Sequence, residues 1–553
     1  VYDPNGGWHY ALNFANDEGN AKRYGDDPRY AGLTGRWSDS PNPQGLLNVN
    51  RKYSENNNNR VVGNAYLEIQ PIKNLVIRSS IGLNTYWSSS RNWTPVYDLG
   101  VNDTQEQDIV QQAAYMGYNW ILTNTASYNF SVQDQHNFNI VIGQEAQKTE
   151  RQLELRARNQ ESLYQNWDQA YLYNVPYSSI NYMNWTNEDD PNAIVGWDQY
   201  GWAMNSYFGR LSYDFREKYL LTLILRKDGT SKFAEGNQYG DAFKSVSAGW
   251  IASNEEFMNA VPAISYLKVR GSYGENGNQD IDDFTYLALI ESQNAGYGFG
   301  NDKNSINTGA VLSTLPNPQV GWETSKQTNI GLDINFLNNR LQTMFDWYNK
   351  TTADWLVVAP ALASYGADPP FVNGGSVENK GIEAMIRWSD RKGDFSYTIT
   401  GTVGYNKNEV TEIKNDEGII RGGRNVLAQG MAESHRAEVG HPIGYFWGYE
   451  TAGIMRSDED VTAYVQELEA NADAWAAANG TEPAYDATLT ESRLAPGEVK
   501  FVDKNGDGLI DDEDKTEIGD PNAKINYGIQ INLAYKNFYF DLIGVGKSGL
   551  QVA

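Results

Sequence analysis

Residues 525–546 read INYGIQINLAYKNFYFDLIGVG, and this stretch decides the fold. Its odd-numbered positions up to residue 535 are apolar or aromatic: Ile525, Tyr527, Ile529, Ile531, Leu533 and Tyr535. The even-numbered positions between them are small or carry uncharged polar groups: Asn526, Gly528, Gln530, Asn532 and Ala534. Because successive side chains of a β-strand point to opposite faces, the stretch predicts a strand with one apolar face and one amide-lined face.

The same alternation recurs along the whole chain. In TNIGLDINF (328–336) the even positions from Ile330 onward are apolar and the odd positions are polar or glycine. In YLLTLILR (219–226) the odd positions form an apolar row, and in ISYLKVRGSY (264–273) Leu267 and Val269 share a face opposite Arg270. We find roughly fifteen such segments, many of them about 9–11 residues long, the length with which a tilted strand crosses a bilayer.

The connections between these segments fall into two classes that alternate along the chain. The short ones are 72–74, 216–218, 338–340, 391–393 and 536–537, and the long ones are about 91–117, 151–203, 275–322 and 406–524. Tight turns at one rim and long polar loops at the other are typical of outer-membrane barrels. A soluble β-sandwich or propeller is the alternative, but it has no reason to sort its loops by length. We therefore predict an all-β protein, a large antiparallel transmembrane β-barrel over residues 1–553.

Composition limits the other possibilities. The chain has 553 residues, no cysteine, a formal net charge of -26 and a sequence pI of about 4.6. The charge excludes the basic stripe that a nucleic-acid-binding protein needs, and the lack of cysteine excludes disulfides. A mean hydropathy of -0.59 and the absence of a long apolar run exclude a transmembrane helix. Barrel strands remain possible because alternation disperses their apolar residues.

Residues 458–479 (DEDVTAYVQELEANADAWAAAN) differ from the rest. Val461, Tyr464, Val465 and Leu468 recur at helical spacing, and Gly480 supplies a C-cap. We predict a helix within the longest loop, 406–524. It serves either as a lid or partner contact or as a cover for the base of the loop.

The sharpest local motif is DKNGDGLIDDED, residues 503–514. Its spacing is that of a calcium-binding loop, with Gly508 at the position of the sharp turn. The predicted metal ligands are Asp503, Asn505, Asp507, the backbone carbonyl of Leu509, Asp511 and Asp514. The last position carries Asp where calcium loops prefer Glu, and no pair of flanking helices is evident. We expect a structural Ca²⁺ that orders an extracellular loop; the alternative is a solvated acidic turn.

Candidates for catalysis are few. The four histidines are scattered, and the chain contains no H-E-x-x-H, G-x-S-x-G, G-x-G-x-x-G or P-loop motif. We therefore predict no enzyme and no organic cofactor. Tryptophans in the predicted loops could stack on sugars or peptides, although aromatic belts and loop packing account for them equally well: Trp87, Trp93, Trp167, Trp185, Trp197 and Trp202.

Several long blocks resemble one known family. NSYFGRLSYDFREKYLLTLILRKDGTSKF (205–233), FKSVSAGWIASNEEFM (243–258) and LKVRGSYGENGNQDI (267–281) are similar to SusC/RagA-type TonB-dependent transporters of Bacteroidetes outer membranes. The same resemblance continues through 315–357, NGGSVENKGIEAMI (373–386) and 496–538. These blocks cover the chain from about residue 204 onward, and residues 1–203 match more loosely.

The resemblance implies a 22-stranded barrel with an N-terminal plug, a size class with an obstructed lumen. It also implies import of oligosaccharides or peptides, a SusD-like surface lipoprotein as a lid, and energy from a TonB–ExbB–ExbD complex acting on the plug. A plug, a TonB box and closing C-terminal strands are not recognised within residues 1–553, so we expect the barrel portion of a longer protein.

Two other functions remain open at this stage. A passive porin or surface adhesin could use the same barrel, and a secreted soluble protein that binds or cleaves glycans could show similar strands. The substrate-binding residues cannot be assigned from the pattern, and glycans and peptides suit the loop composition equally.

Overall fold

The computed structural model describes most of the chain from residue 53 onward. The described residues are 53–98, 104–105, 107–174, 194–196, 201–291, 297–298, 306–307, 311–358, 366–415, 417–422, 433–484 and 494–551, together with 2–3 and 7–8. Trp185 and Trp197 lie outside them. No helix among these residues is both long enough and apolar enough to cross a membrane.

Among the described residues fourteen long strands form one antiparallel sheet in which each strand pairs with the next along the chain. They are β1 Ser54–Ile72, β2 Leu75–Thr94, β3 Ile109–Val132, β4 His136–Gln160, β5 Gly201–Phe215, β6 Tyr219–Thr230, β7 Phe243–Ile251, β8 Ile264–Asn278, β9 Glu323–Phe336, β10 Leu341–Ala353, β11 Gly375–Lys392, β12 Phe395–Ile413, β13 Ile525–Tyr535 and β14 Phe538–Ser548. The short strand Ile194–Gly196 adds to β4 and makes the sheet fifteen-stranded. Within the described residues β1 and β14 are its two edges, so the sheet is not closed.

The remaining elements lie between these strands, except for one short pair that precedes β1. Short antiparallel pairs join Tyr2–Asp3 to Gly7–Trp8, Tyr97–Asp98 to Thr104–Gln105, Leu289–Glu291 to Val311–Thr314, Tyr297–Gly298 to Ile306–Asn307, Leu356–Val358 to Phe371–Asn373, and Thr451–Ile454 to Val499–Phe501. A four-stranded sheet contains Ile419–Arg421, His435–Glu438, Tyr445–Tyr449 and Lys515–Gly519. The α-helix α1 spans Asp458–Asn479, and 3-10 turns lie at Trp167–Gln169, Leu172–Asn174, Ala252–Asn254, Glu256–Ala260 and Asp512–Asp514.

The two classes of connection are confirmed. One end of the sheet carries the turns 73–74, 133–135, 216–218, 252–263, 337–340, 393–394 and 536–537, and the other carries the long connections. The expected loops 91–117, 151–203, 275–322 and 406–524 are too long, however, because β2, β3, β4, β8 and β12 extend into them. The longest loop is therefore 414–524. β3 has 24 residues and β4 has 25. Outside the bilayer both faces of a strand contact water, so the apolar alternation stops there. The backbone hydrogen bonds do not depend on that alternation and continue.

Register places the apolar residues of neighbouring strands side by side. Ile531 of β13 pairs with Ile399 of β12, and Leu533 pairs with Tyr397. Directly opposed residues share a face, so these pairs belong to one apolar face that continues across the sheet. Many of its large side chains are exposed, including Ile529 at 48% and Ile399 at 40%. A face of this composition, open across so many strands, fits contact with lipid rather than with water.

Aromatic rings line the short-turn end of the apolar face. The rings of Phe130 and Phe138 lie 4.8 Å apart, and those of Phe138 and Tyr213 lie 4.9 Å apart. The row continues through Phe215 to Tyr219, whose rings are 6.2 Å apart. This is the geometry of the aromatic girdle that marks a membrane interface in barrels.

Buried apolar clusters occur where the long connections meet the strand ends of the sheet. One contains Trp93 and Val110 with Ala170, and another contains Phe233, Ile281 and Val320. Trp93 is also hydrogen-bonded to Asp108, and Trp167 packs beside it, so these two tryptophans pack within loop bases. Trp87 is exposed on β2.

We predict that Ile529→Arg destabilises the protein and that Gln530→Arg, its neighbour on the opposite face, is tolerated. An arginine on the lipid face costs about 2–4 kcal/mol near the middle of the bilayer, whereas a polar face admits it. Denaturant titration of the protein in lipid vesicles measures both. Equal destabilisation by the two substitutions would show that the apolar face does not contact lipid.

Candidate functional site: the polar face and the 414–524 loop

The second face of the sheet is polar along its length. On β13 it presents Asn526, Gln530 and Asn532, which pair with Gly404, Thr400 and Thr398 of β12. These side chains carry amides and hydroxyls that suit a wet surface, as the alternation in 525–535 predicts. We call this the polar face.

Arg270 is the most highly connected side chain of the polar face. From β8 it reaches two carboxylates on the next two strands. Its Nε lies 3.1 Å from Oδ2 of Asp333 on β9, and its Nη1 and Nη2 each lie 2.7 Å from an oxygen of Asp346 on β10. The guanidinium therefore joins three strands through charge-assisted hydrogen bonds, in the fork geometry that lysine does not reproduce.

Gly331 makes this contact possible. It lies on β9 directly opposite Arg270 and directly opposite Asp346. A β-carbon at this position would lie 2.4 Å from Cζ of Arg270. The glycine therefore lets the arginine lie flat across one strand to reach the next.

The same device occurs elsewhere on the polar face. The Tyr348 side chain lies across Gly381 and donates a hydrogen bond of 3.0 Å to Oδ1 of Asn406. Phe208 lies across Gly143, where a β-carbon would come within 2.3 Å of the ring. Large side chains packed over cross-strand glycines stabilise the sheet and project little into the space that the polar face borders.

A second arginine also bridges strands. Arg226 of β6 donates to Oε1 of Glu145 on β4 at 3.0 Å and to Oδ1 of Asp228 at 2.7 Å. Sequence reasoning placed Arg270 on the polar face but gave neither arginine a role. The available signal was an arginine in the middle of a strand whose outward positions are apolar.

The 414–524 loop carries its own folded unit around α1. Helix α1 begins after Ser457, whose hydroxyl accepts a hydrogen bond from the backbone N–H of Asp460, and ends at Gly480, which is left-handed with a φ of 68°. Both boundaries agree with the sequence prediction. The buried face of α1 carries Val461, Tyr464 and Leu468, which pack with Met455, Leu494 and Ile510.

Helix α1 and the acidic loop 503–514 pack against each other. Asn471 of the helix donates a hydrogen bond of 3.0 Å to Oδ2 of Asp503, and a β-carbon at Gly508 would lie 2.5 Å from Cβ of Ala472. The Tyr464 hydroxyl donates to the carbonyl of Phe501 at 2.8 Å, and burial raises the pKa of Tyr464 to about 12. The helix thus covers the acidic loop, a contact that the sequence did not reveal.

The first half of the predicted metal loop is tightly curled. Oδ1 of Asp503 accepts from the N–H of Gly506 at 2.7 Å, and its Oδ2 accepts from the N–H of Gly508 at 2.9 Å. Oδ1 of Asp507 accepts from the N–H of Leu509 at 2.8 Å, and Oδ1 of Asn505 accepts from the N–H of Asp507 at 3.0 Å. The left-handed φ of Gly508, 84°, supplies the sharp turn expected at that position.

The second half holds its acidic groups differently. Asp514 is fully buried, and its two carboxylate oxygens accept from the backbone N–H groups of Lys504 and Asp511. Oδ1 of Asp511 accepts from the N–H of Glu513 at 2.8 Å. Among the described residues no group of three or more His, Cys, Asp or Glu side chains is arranged to hold a metal ion. The curled loop and its oxygen-rich side chains suit a hard cation, so the calcium site stays a prediction.

The family follows from comparison with known proteins. The model of the family described as "TonB dependent receptor-like, beta-barrel" matches residues 1–488. The chain belongs to this family. TonB-dependent receptor P26 of Formosa agariphila is 26% identical over 535 residues, which cover 96% of this chain and 49% of that receptor. TonB-dependent receptor SusC of Bacteroides thetaiotaomicron is 27% identical over 558 residues, which cover 94% of this chain and 48% of SusC.

Solved structures give the same fold. The RagAB peptide importer in its closed-closed state matches with a TM-score of 0.69 and 20% identity over 90% of this chain and 49% of the importer chain. The RagAB match shows the fold, and together with the family model and the SusC relative it confirms the SusC/RagA-type barrel and its place in the outer membrane. The chain spans about half the length of the curated relatives it matches. In this TonB-dependent barrel the apolar face lies toward lipid, and the polar face with Arg270 lies toward the lumen.

We predict that Gly331→Ala destabilises the TonB-dependent barrel by about 1–3 kcal/mol. The added methyl group displaces Arg270, and the carboxylate of Asp346 then loses its hydrogen-bond partner. Gly401→Ala is the control, since a β-carbon there would meet nothing within 4 Å. We expect the control to change stability by less than about 0.5 kcal/mol. Denaturant unfolding in detergent measures both, and a Gly331→Ala variant as stable as the control would contradict the packing argument.

Proposed function

We propose that the protein containing this chain imports large nutrients, oligosaccharides or peptides, across the outer membrane in a TonB-dependent manner. The observation that carries the proposal is the family match over residues 1–488. The polar face adds to it, because amides, hydroxyls and paired charges line the lumen side of strands whose other side is apolar. In this proposal the barrel performs no chemistry on its substrate, in keeping with a family of receptors.

The partners belong to the same proposal. A SusD-like surface lipoprotein would close over the long-loop end, and the TonB–ExbB–ExbD complex would supply energy from the inner membrane. The 414–524 loop supports a lid contact, since it holds a packed unit of helix and sheet beyond β12 and β13. A folded unit at this end offers a partner a defined surface.

The substrate class is proposed at the level of large polar molecules. The RagAB match bears the description of a peptide importer, and another relative is named SusC. Paired arginine and carboxylate groups and exposed amides on the polar face form hydrogen bonds with peptide backbones and with sugar hydroxyls alike.

We predict that cells producing the protein take up a labelled oligosaccharide or peptide only while TonB is functional. The measurement is accumulation of fluorescent peptide and glycan libraries in cells with and without active TonB. A lumen obstructed by a folded domain blocks passive flow, so loss of TonB should reduce uptake to the level of cells without the protein.

Three results distinguish the alternatives. Uptake that persists without TonB would identify a passive porin. Surface binding without uptake would identify an adhesin, and recovery of the protein in the aqueous fraction without detergent would support a secreted glycan-binding protein. Import of the peptide library or of the glycan library would identify the substrate class.

We also propose that the loop 503–514 binds Ca²⁺ and that the ion stabilises the unit built around α1. Asp503, Asn505, Asp507, the carbonyl of Leu509, Asp511 and Asp514 would hold it. The support is the coiling of the loop around Gly508 and its packing under Ala472 of α1. Hard cations take oxygen ligands from such short loops.

We predict that Ca²⁺ slows proteolysis of the 414–524 loop and that Asp503→Asn with Asp507→Asn abolishes this protection, because two of the charged ligands are lost. Asp458→Asn, at the start of α1 and outside residues 503–514, is the control. Limited proteolysis with calcium or chelator measures the effect. Protection that is the same with calcium and with chelator would identify a solvated acidic turn.

A further inference from the structure

Several lysines lie on the apolar face, immediately beyond its hydrophobic rows on the side of the long loops. On β12, Lys407 is the next side chain on this face after Tyr405, and on β11 Lys380 is the next one above Ile382. Register places Lys380 directly opposite Lys407. Both side chains are exposed, at 52% and 63%. The two ammonium groups therefore lie side by side where the hydrophobic surface ends.

Other strands repeat this position. Lys227 of β6 follows Leu225 on the apolar face, and Lys244 of β7 pairs directly with Leu225. Lys326 of β9 and Lys148 of β4 also lie on this face toward the long loops. We call these residues the lysine belt: Lys148, Lys227, Lys244, Lys326, Lys380 and Lys407. The belt is unexpected in a chain whose net charge is -26.

On β11 and β12 the acidic side chains lie one position farther from the hydrophobic rows, whereas on β8 Glu275 lies directly opposite Lys326, at the level of the belt. Glu378 lies 2.6 Å from Lys380, and Glu409 lies 2.6 Å from Lys407. Glu378 also pairs directly with Glu409, so like charges face each other across the strands at both levels. Like charges directly opposite each other destabilise a sheet. On β11 and β12 the arrangement therefore places two positive charges next to the hydrophobic surface, although opposite charges facing each other would cost less.

We propose that the lysine belt binds the phosphate groups of the lipids that surround the barrel in the outer leaflet. Lysine is a compact point charge that binds phosphate, and its alkyl stem packs on apolar surface while the ammonium reaches the headgroup level. A phosphate between Lys380 and Lys407 relieves the repulsion across the strands. The position favours a lipid phosphate over a free one, because only a lipid fills the hydrophobic rows and the belt together.

The inference rests on the outer-membrane location of the barrel and not on the imported substrate. Its failure is therefore distinguishable from failure of the proposed function. Lipid binding is measured on purified protein, and uptake is measured in cells.

Lipid A titrated into the full-length protein in detergent tests the proposal, with bound lipid counted by native mass spectrometry. Each lysine at a charged membrane surface strengthens binding about fivefold, so Lys380→Gln with Lys407→Gln should weaken lipid A binding by about 25-fold. Dephosphorylated lipid A should bind the unaltered protein and the double variant alike. Lys380→Arg with Lys407→Arg should retain binding, which separates loss of charge from loss of folding.

Lys500→Gln with Lys504→Gln is the matched control. Each of these lysines also pairs with a glutamate, Glu467 or Glu450, but both lie in the 414–524 loop. Their removal should leave lipid A binding unchanged. Equal binding of lipid A with and without phosphate would overturn the proposal, and so would an unaffected Lys380→Gln with Lys407→Gln variant. A change of oligomeric state without a change in bound lipid would assign the belt to a protein contact instead.

Discussion

Backbone hydrogen bonding is the constraint on which the rest of this structure depends. Hydrocarbon offers no partner for a peptide N–H or C=O, so each group that enters it must be paired within the protein. The fourteen long strands meet this demand because each pairs antiparallel with the next from β1 to β14, with a few local register shifts. Alternation, the tight turns and the sorting of loops by length all serve that ladder. The side chains of one face are then free to meet lipid and those of the other to meet water.

Much of the ladder could be predicted from the sequence, because the side-chain period is a local property. The row Ile525 to Tyr535 fixes which residues share a face, and the turns at 73–74 and 536–537 fall where short polar stretches separate alternating segments. Helix α1 was predicted with its observed bounds because its apolar residues recur at helical spacing and Gly480 caps it locally. Strand ends in β3 and β4 were not, since the alternation disappears where both faces are wet while the hydrogen bonds continue.

Contacts between residues that are far apart in the sequence could not be predicted in this way. Arg270, Gly331 and Asp346 interact because register places them in one row across three strands, and no local pattern records that register. The contact between Asn471 and Asp503 has the same character, for it joins a helix and a turn that are separate in sequence. The acidic loop 503–514 was recognised from the spacing of its residues, whereas the packing of α1 over this loop was not predicted.

The length of β3 and β4 has a consequence for how such a receptor changes over time. A strand crosses the bilayer with about 9–11 residues, so more than half of each of these strands stands outside the lipid. The paired ends of β3 and β4 thus form a hydrogen-bonded ribbon that raises their connections above the membrane surface. Substitutions and insertions at its tips leave insertion into the bilayer undisturbed. Substitutions in the connections can therefore change which molecules bind at the long-loop end while the membrane-spanning part of the strands stays the same.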